Sequence, residues 1–327
     1  MKAAFLGGMP EMFEKVYGPR QREALARRVE MVGAFDSIGA EALRDVEVIF
    51  STWGMPACGE SEIRQHLPKV KLLFYAAGSV QGFARPFLHS GVRVFSAWQA
   101  NAVPVAEFAY SQILLSLKGY FRAQSLAEPD RARAKAAQEA CPGVYEAQVG
   151  LLGCGAIGSR VALKLRENDV EVLAYDPFLS AERARELGVR CASLEEVFAR
   201  CDVVSNHLAN LPATVGIIRR GHLMSMKPHS TFINTGRSAQ LSETDLRDML
   251  LADPTRTALI DVLADEAHAD QSPLNGLPNC LITPHIAGST GREVRRMADC
   301  MIRAFDRVQA GLQCPDEVSE AMLETMA

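Results

Sequence analysis

The sequence predicts an α/β fold with two Rossmann-like domains, each a parallel sheet covered by helices on both faces. Short apolar, β-rich runs alternate with helical segments, which is typical of βαβ units. The alternation restarts after one long apolar helical segment, and the second series opens on a glycine-rich turn between a strand and a helix. At about 150 residues per domain, a chain of this length also suggests two domains.

The first series predicts strands and intervening helices in the order of the chain. Strands are expected at residues 2–6, 29–33, 47–52, 71–75 and 92–95. Helices are expected at residues 20–28 and 60–67. The series ends near residue 100, so we place the first domain at residues 1–98, joined by the returning C-terminal segment 288–327.

One long helix is predicted over residues 101–126, with Pro104 in its first turn. Its apolar side is nearly continuous, so we expect it to be buried within this chain or against another one. The segment that follows it is charged and rich in alanine, and we expect it to be exposed.

The second domain is placed at residues 99–287. Its strands are expected at residues 148–152, 170–175, 202–205, 230–234, 257–262 and 279–282. A last helix, from about residue 290 to 310, carries arginines that we interpret as a solvated face.

Composition excludes several classes of function. Apolar residues make up 48% of the chain and charged residues 23%, and the net charge of −4 comes without a long basic run, so no nucleic-acid partner is expected. The longest apolar runs are strand-sized, which predicts no membrane span, and the N-terminus lacks a signal-peptide pattern. The eight cysteines form no CxxC pair, so we expect no metal site and a cytoplasmic protein with reduced thiols.

The strongest single motif is QVGLLGCGAIGSRVALKL, in which an apolar strand leads through Gly153, Gly155 and Gly158 into a helix. The first glycine permits a tight turn, the second lets the backbone approach a pyrophosphate, and the third lets helix and strand pack closely. We therefore predict that a dinucleotide binds at this helix N-terminus, where the amide groups of Ala156 and Ile157 also lie.

The next predicted strand, VEVLAY, ends at Asp176. A carboxylate at this point accepts hydrogen bonds from the adenosine ribose hydroxyls and repels the 2′-phosphate of NADP, and no arginine follows at once. The motif therefore predicts NAD in preference to NADP.

Three more segments, MKPHSTFINTGRSAQLSETDL, ALIDVLADEAHADQSPLNGLPN and CLITPHIAGST, complete an ordered pattern with the glycine loop. Together they resemble the D-isomer-specific 2-hydroxyacid dehydrogenase family, closely over residues 100–310 and in outline over the first 100. The resemblance implies an oxidoreductase that transfers hydride between NAD and a small D-2-hydroxy acid or 2-oxo acid, with its active site in the cleft between the domains.

The resemblance implies a catalytic set of three residues. Arg237 would bind the substrate carboxylate and polarise the 2-oxo group, for which a planar guanidinium is well suited. His285 would act as the general acid and base, since a free imidazole titrates near pH ~6.5. Glu266 would hydrogen-bond and orient the imidazole, although the neighbouring acids Asp265 and Asp270 leave that choice open.

The resemblance also implies contacts with substrate and cofactor. In the first domain, the substrate would meet Gly78, Ser79 and Trp53, and simple core packing is an equal alternative for Trp53. The remaining cofactor-binding residues would be His207, Thr214, Thr235, Gly236, Asp261 and Gly288. The sequence departs from the family at Ala267, Ser238 and Ala209, where the family usually has Pro, Gly and Pro.

Several alternatives remain open. The substrate could be an unphosphorylated 2-oxo acid, such as glyoxylate or hydroxypyruvate, or a phosphorylated one as in phosphoglycerate dehydrogenases. Formate and phosphite dehydrogenases share the scaffold, but Glu266 argues against the former. An NAD(H)-sensing binding protein like the transcriptional corepressors of this fold would retain the same three residues. The resemblance further implies a homodimer formed through residues 101–140.

Overall fold

The computed structural model describes residues 1–127 and 130–326, and it divides into two units. One unit contains Met1–Ala102 and the segment after Gly288, and the other contains Val103–Gly288. Residues 128–129, in the predicted dimerisation region, and residue 327, in the predicted first domain, lie outside the described residues.

The strands form where short runs of apolar residues occur, because most of them are buried on both faces of a sheet. In chain order they are β1 (Lys2–Leu6), β2 (Glu30–Phe35), β3 (Val48–Ser51), β4 (Leu72–Tyr75), β5 (Arg93–Ser96), β6 (Ala147–Leu152), β7 (Val170–Tyr175), β8 (Arg190–Cys191), β9 (Val203–Asn206), β10 (Thr231–Asn234), β11 (Thr257–Ile260), β12 (Cys280–Ile282) and β13 (Glu317–Val318).

Helices connect these strands. In chain order they are α1 (Pro10–Val16), α2 (Pro19–Ala26), α3 (Glu60–His66), α4 (Ala84–His89), α5 (Trp98–Leu117), α6 (Tyr120–Ala127), α7 (Arg131–Glu139), α8 (Ala156–Leu165), α9 (Ala181–Leu187), α10 (Leu194–Arg200), α11 (Arg220–Met224), α12 (Glu243–Ala252) and α13 (Val294–Gln309). Among the described residues, no helix combines the length and apolarity that a membrane span requires.

The first unit is built on a six-stranded sheet with the order β13-β5-β4-β3-β1-β2. Its strands are parallel except β13, which pairs antiparallel with β5. Successive side chains point to opposite faces: Val48 and Phe50 pack in one apolar cluster with α13, and Ile49 packs in the other with α3.

The second unit is built on a seven-stranded parallel sheet with the order β12-β11-β10-β9-β6-β7-β8. Apolar clusters cover both faces, one with α10 and α12 and the other with α5 and α8. From β6 the following strands β7 and β8 lie on one side, and β9 to β12 lie on the other side, so the strand order reverses between β6 and β9. Ligands of open α/β sheets bind at the carboxyl ends of the strands beside such a point. The predicted fold class is confirmed. The one departure from parallel pairing among the described strands is β13 in the sheet of the first unit.

The prediction of one helix over residues 101–126 is wrong. The chain breaks into α5 and α6 at Gly119, which has a φ of 68° and would place a Cβ atom 2.6 Å from the Cys141 Sγ atom. Pro104 lies inside α5, not in its first turn, because that helix already begins at Trp98. The segment expected to be exposed contains α7, which buries Ala134 and Ala137.

Candidate active site

The glycine turn after β6 is shaped by close contacts between backbone segments. Gly153 has a φ of 87°, and a Cβ atom there would lie 2.8 Å from the His207 carbonyl oxygen. A Cβ atom at Gly158 would lie only 1.9 Å from the Gly153 carbonyl oxygen, so no other residue fits. At Gly155, in contrast, a Cβ atom would meet nothing within 4 Å, and the backbone is open to an approaching group.

The open side of this turn lies at the start of α8. The first N–H groups of a helix, here those of Ala156, Ile157 and Gly158, have no partner within the helix and carry the positive end of its dipole. Backbone donors at a turn that has no side chain at Gly155 suit a pyrophosphate.

Asp176, at the end of β7, is tied to the glycine turn. Its Oδ2 atom accepts the Cys154 N–H at 2.7 Å, and its Oδ1 atom accepts the Phe178 N–H at 2.8 Å. Each carboxylate oxygen keeps a further lone pair, so Asp176 can still accept hydrogen bonds from a ribose.

Two predicted cofactor residues carry buried polar atoms that lack a partner among the described residues. These atoms are His207 Nδ1 and Thr235 Oγ1. Burial lowers the pKa of His207 to about 4, so its imidazole is neutral at pH 7, and its Nε2 atom lies 3.0 Å from the Ser205 hydroxyl. His207 lies beside the glycine turn and Thr235 follows β10, so these unpaired buried polar atoms lie at the carboxyl ends of the strands, where a dinucleotide would bind.

Thr214 and Gly236, also predicted to bind the cofactor, support their loops. The Thr214 hydroxyl donates to the Ala209 carbonyl at 2.6 Å and closes the turn after β9. Gly236 lies so close to Asn206 and Gln240 that a Cβ atom would be 3.0 and 3.1 Å from their amide atoms.

A buried network of amide side chains, formed by Asn206, Asn234 and Gln240, lies beneath these loops. Asn206 and Asn234 are register partners at the ends of β9 and β10, and Asn206 donates to Asn234 at 2.9 Å and to Gln240 at 2.5 Å. Gln240 also donates to the carbonyls of Leu208 and Ala209 at 2.8 and 3.0 Å. The network links the loop that carries His207 to the loop that carries the predicted Arg237.

Sequence reasoning missed this network because amide residues at strand ends are usually exposed. A signal was available: Asn206 and Asn234 each end a strand whose other residues are mostly apolar, and they do so on neighbouring strands.

The three predicted catalytic residues follow three adjacent strands of the second unit. Arg237 follows β10, Glu266 follows β11 and His285 follows β12. Because the carboxyl ends of parallel strands meet at one edge, this topology brings the three loops together.

The loop that carries His285 is held by Asp261, whose side chain is only 3% exposed. The Asp261 carboxylate accepts the Thr283 hydroxyl at 2.6 Å and the backbone N–H groups of Ile286 and Ala287 at 2.8 and 2.9 Å. His285 has a φ of 53°, in the left-handed region that non-glycine residues rarely adopt. These bonds stabilise the unusual conformation, so Asp261 acts on His285 through the loop.

Glu266 and His285 form a pair. The His285 Nδ1 atom lies 2.8 Å from the Glu266 Oε1 atom, and both side chains are about half exposed. A carboxylate at this distance can accept a hydrogen bond from Nδ1–H, and Nε2 is then the ring nitrogen that can exchange a proton with a substrate.

The Arg237 guanidinium is partly buried, and burial lowers its pKa, while the nearby Glu266 carboxylate opposes that shift. Its Nη1 atom donates to the Gly236 carbonyl at 2.8 Å. No described carboxylate lies within salt-bridge distance of it, so this desolvated cation can accept an anion.

Residues 111–287 match the NAD binding domain of the D-isomer specific 2-hydroxyacid dehydrogenase family. The chain belongs to this family. The resemblance that the motifs predict is therefore confirmed.

Relatives within this dehydrogenase family include the D-3-phosphoglycerate dehydrogenases of Mycobacterium tuberculosis (strain ATCC 25618 / H37Rv) and Archaeoglobus fulgidus. The first is 30% identical over 262 residues, covering 80% of this chain and 49% of the relative. The second is 29% identical over 236 residues, covering 71% of this chain and 44% of the relative. The chain thus spans about half the length of the curated relatives it matches.

Among solved structures, the NAD-complexed D-isomer specific 2-hydroxyacid dehydrogenase of Lactobacillus delbrueckii ssp. bulgaricus aligns with a TM-score of 0.79 at 20% identity. The alignment covers 98% of this chain and 100% of that one. This similarity shows that the two proteins share the family's two-domain fold.

The predicted substrate residues lie in the first unit. Gly78 and Ser79 follow β4, and the Gly78 carbonyl accepts the Ser96 hydroxyl at 2.7 Å. Trp53 is partly buried and packs against both apolar clusters of its unit. Gly288, predicted to bind the cofactor, is the last residue of the second unit.

Proposed function

We propose that this chain is an NAD-dependent oxidoreductase that interconverts a small D-2-hydroxy acid and its 2-oxo acid. The observation that carries the proposal is the desolvated Arg237 guanidinium, which has no carboxylate partner among the described residues. It lies in the loop after β10, next to β11 and β12, which lead to Glu266 and His285. A cation that binds a carboxylate and an imidazole that exchanges a proton are the two groups this reaction requires of the protein.

Arg237 would bind the substrate carboxylate and polarise the 2-oxo group. The His285 Nε2 atom would donate a proton to the 2-oxo oxygen during reduction and accept it back during oxidation. Glu266 would hold the imidazole through Nδ1 and stabilise its positive charge. A bound nicotinamide cofactor supplies or accepts the hydride.

We assign the cofactor to the second domain, residues 99–287, and the substrate-binding role to residues 1–98 with 288–327. Gly78 and Ser79 would offer backbone amides to the substrate carboxylate, and Trp53 would contact its remaining atoms. The proposed cofactor contacts are Gly153, Gly155, Ala156, Ile157, Gly158, Asp176, His207, Thr214, Thr235, Gly236, Asp261 and Gly288.

NAD is proposed over NADP because Asp176, at the end of β7, would repel the 2′-phosphate of NADP. The test is the ratio of kcat/KM for NADH and NADPH in the wild type and in Asp176→Ser. The wild type should prefer NADH, and the variant should lose most of that preference. An equal preference in both proteins would refute the role of Asp176.

The decisive experiment is a screen of NADH oxidation with glyoxylate, hydroxypyruvate, pyruvate, 2-oxoisocaproate and 3-phosphohydroxypyruvate. We expect turnover of at least one of these acids and, where the hydroxy acid is chiral, formation of the D isomer. His285→Ala is the control and should lose about 10²- to 10⁴-fold in turnover while still binding NADH. Full activity in that variant would refute the acid–base assignment.

The same screen separates an enzyme from an NAD(H)-sensing protein. A sensor would bind NADH and turn over none of the acids. The panel also separates phosphorylated from unphosphorylated substrates, both of which the sequence leaves open.

We also propose a homodimer formed through residues 101–140. Support comes from two large apolar side chains in this region: Leu115 is 39% exposed and Tyr120 is 48% exposed. Light scattering should give twice the chain mass for the wild type and a lower mass for Leu115→Glu/Tyr120→Glu. A monomeric wild type would refute the proposal.

A further inference from the structure

The loop that carries Glu266 has little structure of its own to hold it. Every residue from 264 to 271 is exposed, between the buried Leu263 and Leu274. Within the loop, the Asp265 carboxylate accepts the N–H groups of Ala267 and His268, which shapes the turn without attaching it to the sheet.

Glu243 attaches this loop at both ends. Its Oε1 atom accepts the Ala264 N–H at 2.6 Å, and its Oε2 atom accepts the Ser272 hydroxyl at 2.7 Å. Among the hydrogen bonds described for residues 264–272, these two connect the loop to more distant segments, and the Glu266–His285 ion pair is a further contact of the loop. A carboxylate that accepts two short hydrogen bonds is a strong anchor.

Glu243 is itself well fixed. It is the first residue of α12, whose N-cap Ser242 accepts the Asp245 N–H at 3.3 Å. It also follows Arg237 by six residues, through a short 3₁₀ turn at Ser238–Gln240. One segment therefore carries Arg237 at its start and holds the Glu266 loop at its end.

We propose that Glu243 is a positioning residue, which fixes the Glu266 loop relative to Arg237 by binding the Ala264 amide and the Ser272 hydroxyl. The proposal rests on the proposed function, since it concerns the orientation of the imidazole that Glu266 holds. A purely structural alternative exists: an acidic residue in the first turn of α12 stabilises that helix through its dipole.

Kinetics of matched variants test the proposal. Glu243→Ala should lower kcat for the 2-oxo acid by about tenfold to a hundredfold, because small displacements of catalytic groups have effects of this size. The dissociation constant for NADH should stay unchanged. Glu243→Gln should recover most of kcat, since its amide can accept from Ala264 and donate to Ser272.

Asp245→Ala is the matched control. Asp245 lies in the same first turn and contacts Arg220 at 3.7 Å, outside the loop. Its removal changes the helix dipole in a similar way and should leave kcat unchanged. The proposal is overturned if Glu243→Ala keeps wild-type kcat, if Asp245→Ala loses as much, or if Glu243→Gln recovers nothing.

Hydrogen exchange gives a readout that does not depend on turnover. In Glu243→Ala, deuterium uptake should rise in peptides covering residues 264–272 and stay unchanged there in Asp245→Ala. If the wild type turns over no 2-oxo acid, the proposed function fails, and the exchange result still decides whether Glu243 holds the loop. Unchanged uptake in Glu243→Ala would overturn the positioning role by itself.

Discussion

At the ends of β6, β7 and β9, close approach of backbone segments defines the candidate site, whereas at the ends of β10, β11 and β12 side chains define it. We call these regions the cofactor half and the catalytic half. In the cofactor half, Gly158 leaves no room for a single extra carbon atom beside Gly153. In the catalytic half, Glu266 and His285 are about half exposed, and other residues hold them in place.

The difference indicates where each half tolerates change. Substitutions of the closely packed Gly153 and Gly158 in the cofactor half should act on folding and binding together, because these glycines shape both the backbone packing and the turn. Substitutions of Glu266 or His285 should act on chemistry and leave folding nearly unchanged. The supporting residues Asp261, Gln240 and Glu243 lie between these extremes.

The largest effect on stability is expected from Gly158→Ala. The added carbon would lie 1.9 Å from the Gly153 carbonyl oxygen, so helix α8 must move away from the turn. We expect a loss of about 3 kcal/mol in the free energy of unfolding, measured with urea, together with loss of NADH binding.

Gly155→Ala is the control within the same turn. Its added carbon meets nothing within 4 Å, so the protein should unfold at the wild-type urea concentration while NADH affinity falls. Equal stability of both variants would contradict the packing argument.

A smaller loss of stability is expected from Gln240→Leu, which removes the centre of the amide network. The variant leaves Asn206 Nδ2 with one partner fewer and the Leu208 carbonyl without its amide donor. We expect a loss of about 1–3 kcal/mol in the free energy of unfolding.

Asn206→Leu/Gln240→Leu tests whether the two amides depend on one another. Each single variant leaves the remaining amide of the Asn206–Gln240 hydrogen bond without its partner, whereas the double variant removes both groups. The double variant should therefore be more stable than the sum of the two single losses predicts. Strictly additive losses would show that the network is not coupled.

The smallest effect is expected at His89, which lies in the first unit and belongs to neither half of the site. Its Nδ1 and Nε2 atoms lie 3.0 and 2.9 Å from carboxylate oxygens of Glu60 and Glu320. The hydrogen bond to Glu320, followed by that to Glu60, raises the pKa of His89.

The sign of the pH effect follows from this direction. Because the pKa of His89 is higher in the folded than in the unfolded state, protonation of His89 stabilises the folded protein. This contribution to the free energy of unfolding is fully present below the unfolded-state pKa of ~6.5, and it is lost as the pH rises through the folded-state pKa. Between pH 6 and pH 9 the wild type should therefore lose more stability than His89→Gln. Parallel pH profiles of unfolding would contradict this role.

The strands were predictable because their signal is local. Burial on both faces selects continuous apolar runs, so the predicted bounds of β4, β6, β7 and β10 lie within a residue or so of the observed ones. The two-residue strands β8 and β13 escaped prediction, since they depend on pairing with distant partners rather than on an apolar run.

The break between α5 and α6 shows the limit for helices. Gly119 lies inside the predicted helix, and one glycine in an apolar helical pattern does not by itself indicate a break. The contact that excludes a side chain there comes from Cys141, which is 22 residues away in the chain. Only the packing of α7 reveals it.

In the candidate site, the residues proposed to carry chemistry lie in motifs that the sequence shows, whereas the supporting residues Asn206, Gln240 and Glu243 were not predicted. Arg237, Glu266 and His285 belong to recognisable motifs, and the structure places Glu266 beside His285. Asn206, Gln240 and Glu243 act through contacts between loops that follow different strands. No pattern along the chain marks such contacts.

The central claim is that Arg237 binds the substrate carboxylate beside the Glu266–His285 pair. The most direct test is kcat/KM for the preferred 2-oxo acid in Arg237→Lys, with NADH affinity measured alongside. Lysine keeps the charge but loses the planar pair of donors, so we predict a fall of about a hundredfold in kcat/KM at unchanged NADH affinity. An Arg237→Lys variant with wild-type kcat/KM would contradict the account.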